Sequence, residues 1–265
     1  MASTTRTVAL PDGESTTLET WGTAGPILLC IHGIGSSRAS WKRTADALAG
    51  TYRVAAYDQR GHGDSAKLWG PMTHDQSVAD CVAVADALGE PIRALVGHSW
   101  GGAIALLAGP KVATAAVVAI DPLIHQRPGT WHADYVADLE PLLHIPPAER
   151  VAAIRAAFAG LPPVEIDAKV HALREMSVRP VVRLGEQNRA DMGLWDLRVD
   201  LRRYPLPLLL LLADAAESVV LEEDLWIINE TLGPNATIEV FEGEGHALHR
   251  TAFDRYVRSL TAFLA

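Results

Sequence analysis

Residues 92–102 read Ile92-Arg93-Ala94-Leu95-Val96-Gly97-His98-Ser99-Trp100-Gly101-Gly102. An apolar run of strand length meets Gly-x-Ser-x-Gly, and a run of small residues suited to a helix follows. A serine on so sharp a strand-to-helix turn is held at strained backbone angles, so its neighbours must be glycine or very small. The strain lifts its hydroxyl above the sheet. The helix start sets N–H groups and the positive end of the helix dipole beside it. That context favours a nucleophile over an incidental serine in a glycine-rich turn.

Outward from this turn, apolar runs at 27–31, 54–57, 92–96, 115–120, 208–212 and 237–241 read as strands. Helix-period segments lie between several of them. Val78, Val82, Ala85 and Leu88 form one apolar face, Leu221, Leu225, Ile228 and Leu232 a second, and Phe253, Tyr256, Val257, Leu260 and Phe263 a third. Such alternation predicts an α/β fold, a mostly parallel sheet with helices on both faces. Residues 4–21 predict an antiparallel hairpin around Pro11-Asp12-Gly13 at the sheet edge. The alternation stops over 123–204, which is punctuated by proline and helical in pattern, most clearly over 151–158. This segment reads as a helical insertion between two strands.

The chain has 265 residues, 49% hydrophobic and 21% charged, enough to bury a large core and too apolar for a disordered chain. Its net charge of −9 disfavours general nucleic-acid binding. No apolar run reaches the length of a membrane span, and the first ten residues lack the apolar core of a signal peptide. Cys30 and Cys81 read as buried free thiols, which suits a reducing cytoplasm. No Cys/His cluster has metal-ligand spacing, so neither metal nor cofactor is expected.

With these features the sequence resembles the α/β-hydrolase family over nearly its whole length. His32-Gly33-Ile34-Gly35 after the strand at 27–31 looks like that family's oxyanion loop, and residues 58–65, Asp58 to Ser65, are also typical of it. The resemblance implies a mainly parallel eight-stranded sheet flanked by helices, with a helical cap inserted after the sixth strand. Residues 1–122 and 205–265 would then form the core domain and 123–204 the cap. It also implies the backbone N–H groups of Ile34 and Trp100 as the oxyanion hole.

A serine hydroxyl needs a general base, and histidine has the appropriate pKa. By the family order the base leaves the last strand, which selects His246 in Glu242-Gly243-Glu244-Gly245-His246 over His249. The carboxylate that orients it departs from the usual pattern. The family's position in the loop after residues 208–212 is Ala216, with Asp214 two residues early and Glu217 one residue late. Asp121, at the end of the preceding strand, ranks first, and Glu217 and Asp214 remain alternatives.

His32, Gly33, His98 and Trp131 are candidate substrate contacts, although His32 and His98 could equally orient loops. Trp100 either narrows the space around Ser99 or packs beneath the insertion. Aromatic and sulfur side chains of the insertion suit a small or medium acyl substrate of some hydrophobic character, and the acidic balance weakly disfavours highly anionic ones. The arginines of 198–203 read as a solvated face. The expected function is hydrolysis of a small-molecule ester or lactone through an acyl-enzyme. The alternatives are carbon–carbon bond hydrolysis of a ring-cleavage diketone, and a slow or non-catalytic receptor on the same fold. Haloalkane dehalogenase and epoxide hydrolase chemistry is disfavoured, because relatives of those types carry aspartate where this chain has Ser99.

Overall fold

A strand covered on both faces has no polar side to show, so it forms where apolar residues run unbroken. The computed structural model describes residues 2–65, 67–68, 70–125, 139–179, 182–183, 196–231 and 233–265. Its strands are β1 Ser3–Ala9, β2 Ser15–Trp21, β3 Ile27–Ile31, β4 Arg53–Tyr57, β5 Ile92–His98, β6 Val117–Ile120, β7 Leu208–Ala213 and β8 Ala236–Phe241. Every residue of β3, β6 and β7 is buried. The eight strands make one sheet in the order β1-β2-β4-β3-β5-β6-β7-β8. β1 and β2 form the expected hairpin, β2 pairs antiparallel with β4, and the remaining pairs are parallel.

The period-two alternation of the strands divides the core. Ile27, Leu29 and Ile31 face one apolar layer, and Leu28 and Cys30 the other. The first layer is built from the helices α2 His74–Leu88 and α3 Trp100–Ala108, and the second from α1 Lys42–Ala47 and the C-terminal helix Phe253–Leu264. Cys30 and Cys81 are buried free thiols. Because β4 and β5 lie on opposite sides of β3, the connections leaving β3 and β5 diverge at the carboxyl ends of these strands, where open α/β sheets place ligands.

Between β6 and β7 the chain forms α4 Glu140–Leu143, α5 Pro147–Ala157, α6 Pro163–Leu173 and α7 Arg198–Leu201. Among the described residues, three more helices follow β7: α8 Glu222–Thr231, α9 Leu248–Thr251 and α10 Phe253–Leu264. A bridge between His125 and Asp196 joins the two ends of the insertion. Leu143, Ile154, Ala172, Leu173 and Met176 join the same apolar cluster as Trp100 and Leu123, so the inserted helices share a core with the sheet. Arg198 departs from the expected solvated face, since it donates to Asp196 and to the buried carboxylate of Asp224, which also contacts His125. Among its neighbours, Arg202 and Arg203 are exposed as expected.

Arg150 organises the insertion. Its buried guanidinium donates to the carbonyls of Leu143 at 2.7 Å, Ile145 at 2.8 Å and Leu173 at 3.0 Å, groups that the ends of short helices leave without intrahelical donors. Removing the donor while the carbonyls stay buried costs the desolvation of each. Arg150→Met is therefore expected to lower the unfolding free energy by about 2–4 kcal/mol, read from urea denaturation. An unchanged midpoint would contradict this role.

Candidate active site

Ser99 sits between β5 and α3 with φ 56° and ψ −122°. A Cβ at Gly97 would collide with the Gly101 carbonyl, and one at Gly101 with the Ile31 carbonyl, so the turn closes only with glycine on both sides. Among the described residues one other non-glycine has a positive φ: Asp121, at 40°. Strain of this kind persists only where the surrounding structure holds it, and it concentrates at functional sites. Both strained residues end neighbouring parallel strands, which places them side by side at the carboxyl edge of the sheet.

Asp121 is fully buried, and its carboxylate is saturated with donors. Oδ1 accepts from Ala213 N–H at 3.1 Å and from the Ser218 hydroxyl at 2.5 Å. Oδ2 accepts from Val219 N–H at 3.1 Å and from His246 Nδ1 at 2.6 Å. A carboxylate at Nδ1 fixes the neutral ring with its proton there and leaves Nε2 as the basic nitrogen. The His246 side chain keeps 32% of its surface exposed, so the ring is reachable from outside.

The loop after β7 has a different use from the one its sequence suggests. It wraps Asp121 and supplies the donors of Ser218 and Val219, while Ala213, the last residue of β7, supplies a third. Asp214 accepts from the N–H groups of Gly243 at 2.8 Å and Ala216 at 3.1 Å, tying this loop to the one that carries His246. Those two amides hold its carboxyl below the ordinary carboxylate range. Glu217 is exposed. Of the three candidate acids, the structure brings Asp121 to His246. Ser218 was missed by sequence reasoning, because nothing in a lone loop serine marks it as a donor to a distant aspartate.

Gly33 presses against the serine: a Cβ there would stand 2.9 Å from Ser99 Cβ and 3.1 Å from His98 Nδ1. Ile34 follows it in the same loop, on which Leu139 of the insertion rests at Gly35. Trp100 is the first residue of α3, and its buried ring packs against His74 at 4.5 Å between centroids. Trp131 lies outside the described residues, as do His132, Tyr135, Met192 and Trp195.

The remaining candidate histidines have backbone partners. His32 accepts from Gln59 N–H at Nε2 (3.0 Å), so its Nδ1–H donates to the Gly33 carbonyl at 2.8 Å and braces the loop. Burial first, then the neighbouring His62 ring, pushes His32 down to about 3. The His98 Nε2–H donates to the His246 carbonyl at 2.9 Å, and its ring stacks on His246 at 4.6 Å and on His249 at 4.3 Å. Burial, then the other two rings and Arg250, holds His98 well below the ordinary imidazole range. His249 is depressed by burial first and then by Arg250, His246 and Lys169.

Asp58, Asp64 and His171 bring possible ligand atoms within 4.8 Å of one another. The Arg38 guanidinium lies among them, paired with Asp58 and, at 2.8 Å, with Asp64, so the positive charge of that cluster comes from arginine. Burial raises the Asp58 carboxyl, but His171 and Arg38 outweigh it and hold the group far below the usual range. His171 belongs to α6, and its contact with Asp58 at 3.2 Å fastens the insertion to the loop after β4.

The family model of the alpha/beta hydrolase family matches residues 28–259. The chain belongs to the alpha/beta hydrolase family. An epoxide hydrolase B of Mycobacterium tuberculosis (strain ATCC 25618 / H37Rv) is 40% identical over 84 residues, which are 31% of this chain and 24% of that protein. Lipase LipV of the same strain is 33% identical over 158 residues, 58% of this chain and 59% of the lipase. The chain thus spans less than two thirds of these relatives. Among solved structures, a hydrolase from Pseudomonas aeruginosa PA01 superposes with a TM-score of 0.78 at 22% identity, covering 98% of each chain. Esterase RhEst1 from Rhodococcus sp. ECU1013 gives 0.74 at 26% identity, again over 98% of each. No helix among the described residues is long and apolar enough to cross a membrane.

His32, His98 and His249 each have a folded pKa below the unfolded value of about 6.5. As pH falls, the unfolded chain binds their protons first, so stability present at pH 7 is lost towards pH 5. The expected loss is about 2 kcal/mol for each of the three rings, measured by urea unfolding at the two pH values. Equal stability at both would show that these rings are not held neutral.

Proposed function

We propose that this protein is a serine hydrolase that cleaves a carboxylic ester or lactone, with Ser99 as nucleophile, His246 as base and Asp121 as the orienting acid. The observation that carries the reading is the pairing of a strained serine turn with a histidine whose Nδ1 is bonded to a buried carboxylate. In the acylation step the Ser99 proton passes to His246 Nε2 as Oγ bonds to the carbonyl carbon. The tetrahedral oxyanion is received by the N–H groups of Ile34 and Trp100, each worth a few kcal/mol in such sites. Collapse breaks the bond to the leaving oxygen, which takes the proton from His246. Water then gives a proton to His246 and attacks the acyl carbon, the acid departs, and Ser99 recovers its proton. No metal or redox group is required.

Asp121 would stabilise the imidazolium that forms twice in this cycle. Residues 123–204 act in this reading as a cap over the serine, and Gly33 and Trp131 remain candidate substrate contacts. The match to an epoxide hydrolase does not extend to its chemistry here, because Ser99 offers a hydroxyl where that class uses an aspartate.

An active-site-directed fluorophosphonate is expected to label the wild type covalently, with loss of labelling in Ser99→Ala, read by intact-protein mass spectrometry. A folded wild type that resists labelling, yet gains thermal stability with a ligand, would favour the receptor reading.

A further inference from the structure

His246 stands on the loop after β8, which packs loosely just before it: a Cβ at Gly243 or Gly245 would meet nothing within 4 Å. Asp214 and Thr251 hold the start of this loop, and the buried Leu248 follows the histidine. Among the described residues His246 itself makes two hydrogen bonds. Its ring gives Nδ1–H to Asp121, and its carbonyl accepts the Nε2–H of His98 at 2.9 Å. His98 ends β5 and lies beside Ile120, the last residue of β6, which Asp121 follows. The base is therefore held at its ring and at its backbone from the tips of two neighbouring strands.

The His98 ring is itself closely fixed. It is buried, and its centre lies 4.6 Å from that of His246 and 4.3 Å from that of His249. Its Nδ1 faces the oxyanion loop, where a Cβ at Gly33 would come within 3.1 Å of it. A carbonyl can only accept, so Nε2 carries the ring proton. Burial, then His249, His246 and Arg250, keeps a second proton off. The ring thus adds no charge beside His246 when that imidazole becomes positive. The next residue is Ser99, whose N–H donates to the Ile120 carbonyl at 2.9 Å. One side chain, rooted beside the nucleophile, reaches the backbone of the base.

We propose that His98 is a positioning residue: its Nε2–H ties the His246 backbone to the strand that carries Ser99 and so sets the distance between base and nucleophile. This assignment rests on the serine-hydrolase reading. It replaces the expectation that His98 touches substrate, because its donor is spent on His246 and its other nitrogen faces Gly33. Asp121 fixes the tautomer of His246, but a ring on a loosely packed loop needs a second hold. A misplacement of about 1 Å can cost roughly a hundredfold in rate.

The test compares p-nitrophenyl ester hydrolysis by His98→Met and His98→Gln, two side chains of similar shape that differ in the donor. Active sites are counted by fluorophosphonate titration, so that loss of folded protein does not enter kcat. His98→Met is expected to lose about 30- to 100-fold in kcat with KM nearly unchanged, and His98→Gln to keep most of the wild-type kcat. Equal kcat in the two variants overturns the proposal. Where methionine prevents folding, His98→Asn, polar but too short to reach the carbonyl, takes its place with the same expectation. Crystal structures of wild type and the donor-less variant decide the position without turnover. The His246 ring should move by more than about 0.5 Å, the tolerance of such constellations, and an unmoved ring overturns the assignment. A wild type that hydrolyses no p-nitrophenyl ester and takes no fluorophosphonate would sink the esterase, while the ring position still decides what His98 holds.

Discussion

The hydrogen bond between His246 and Asp121 is the contact on which the rest of the site depends. It joins the loop after β8 to the end of β6, and a buried carboxylate tolerates such a place only when its lone pairs are filled. The end of β7 and the loop after it fill them with the amides of Ala213 and Val219 and the Ser218 hydroxyl. Three segments distant in sequence thereby meet at one side chain. The left-handed backbone of Asp121 belongs to the same arrangement, and aspartate bears that conformation better than most residues.

Around this pair the protein places groups that stay neutral and cations that are held. His98, His249 and His32 are buried in their uncharged forms and spend their ring nitrogens or faces on neighbouring loops. Arg38 gathers Asp58 and Asp64, and His171 of the insertion joins them. Arg150 collects the carbonyls of the inserted helices. The seam between insertion and sheet is thus built from buried polar networks as well as apolar packing. Such networks specify one arrangement because a half-satisfied version is costly.

Much of this was legible from residues alone where a local rule governs. Ser99 follows from a strand, two glycines and a helix start. β3 matches the unbroken apolar run at 27–31, and the edge hairpin follows from Pro11-Asp12-Gly13. The pairing of His246 with Asp121 was narrowed but left open, because which carboxylate reaches an imidazole depends on how three loops fold together. Arg198 was misread because its charge suggested solvent, whereas Asp224 lies buried within reach of it.

The central claim is that Asp121, and no carboxylate of the loop after β7, orients His246. The most direct measurement is kcat for p-nitrophenyl ester hydrolysis by Asp121→Asn and by Glu217→Gln, each confirmed folded by circular dichroism. An asparagine at 121 would favour the wrong tautomer of His246, so its kcat should fall by roughly 10³- to 10⁴-fold, while Glu217→Gln stays close to wild type. An Asp121→Asn variant with near-normal kcat, or a Glu217→Gln variant with the large loss, would contradict the account.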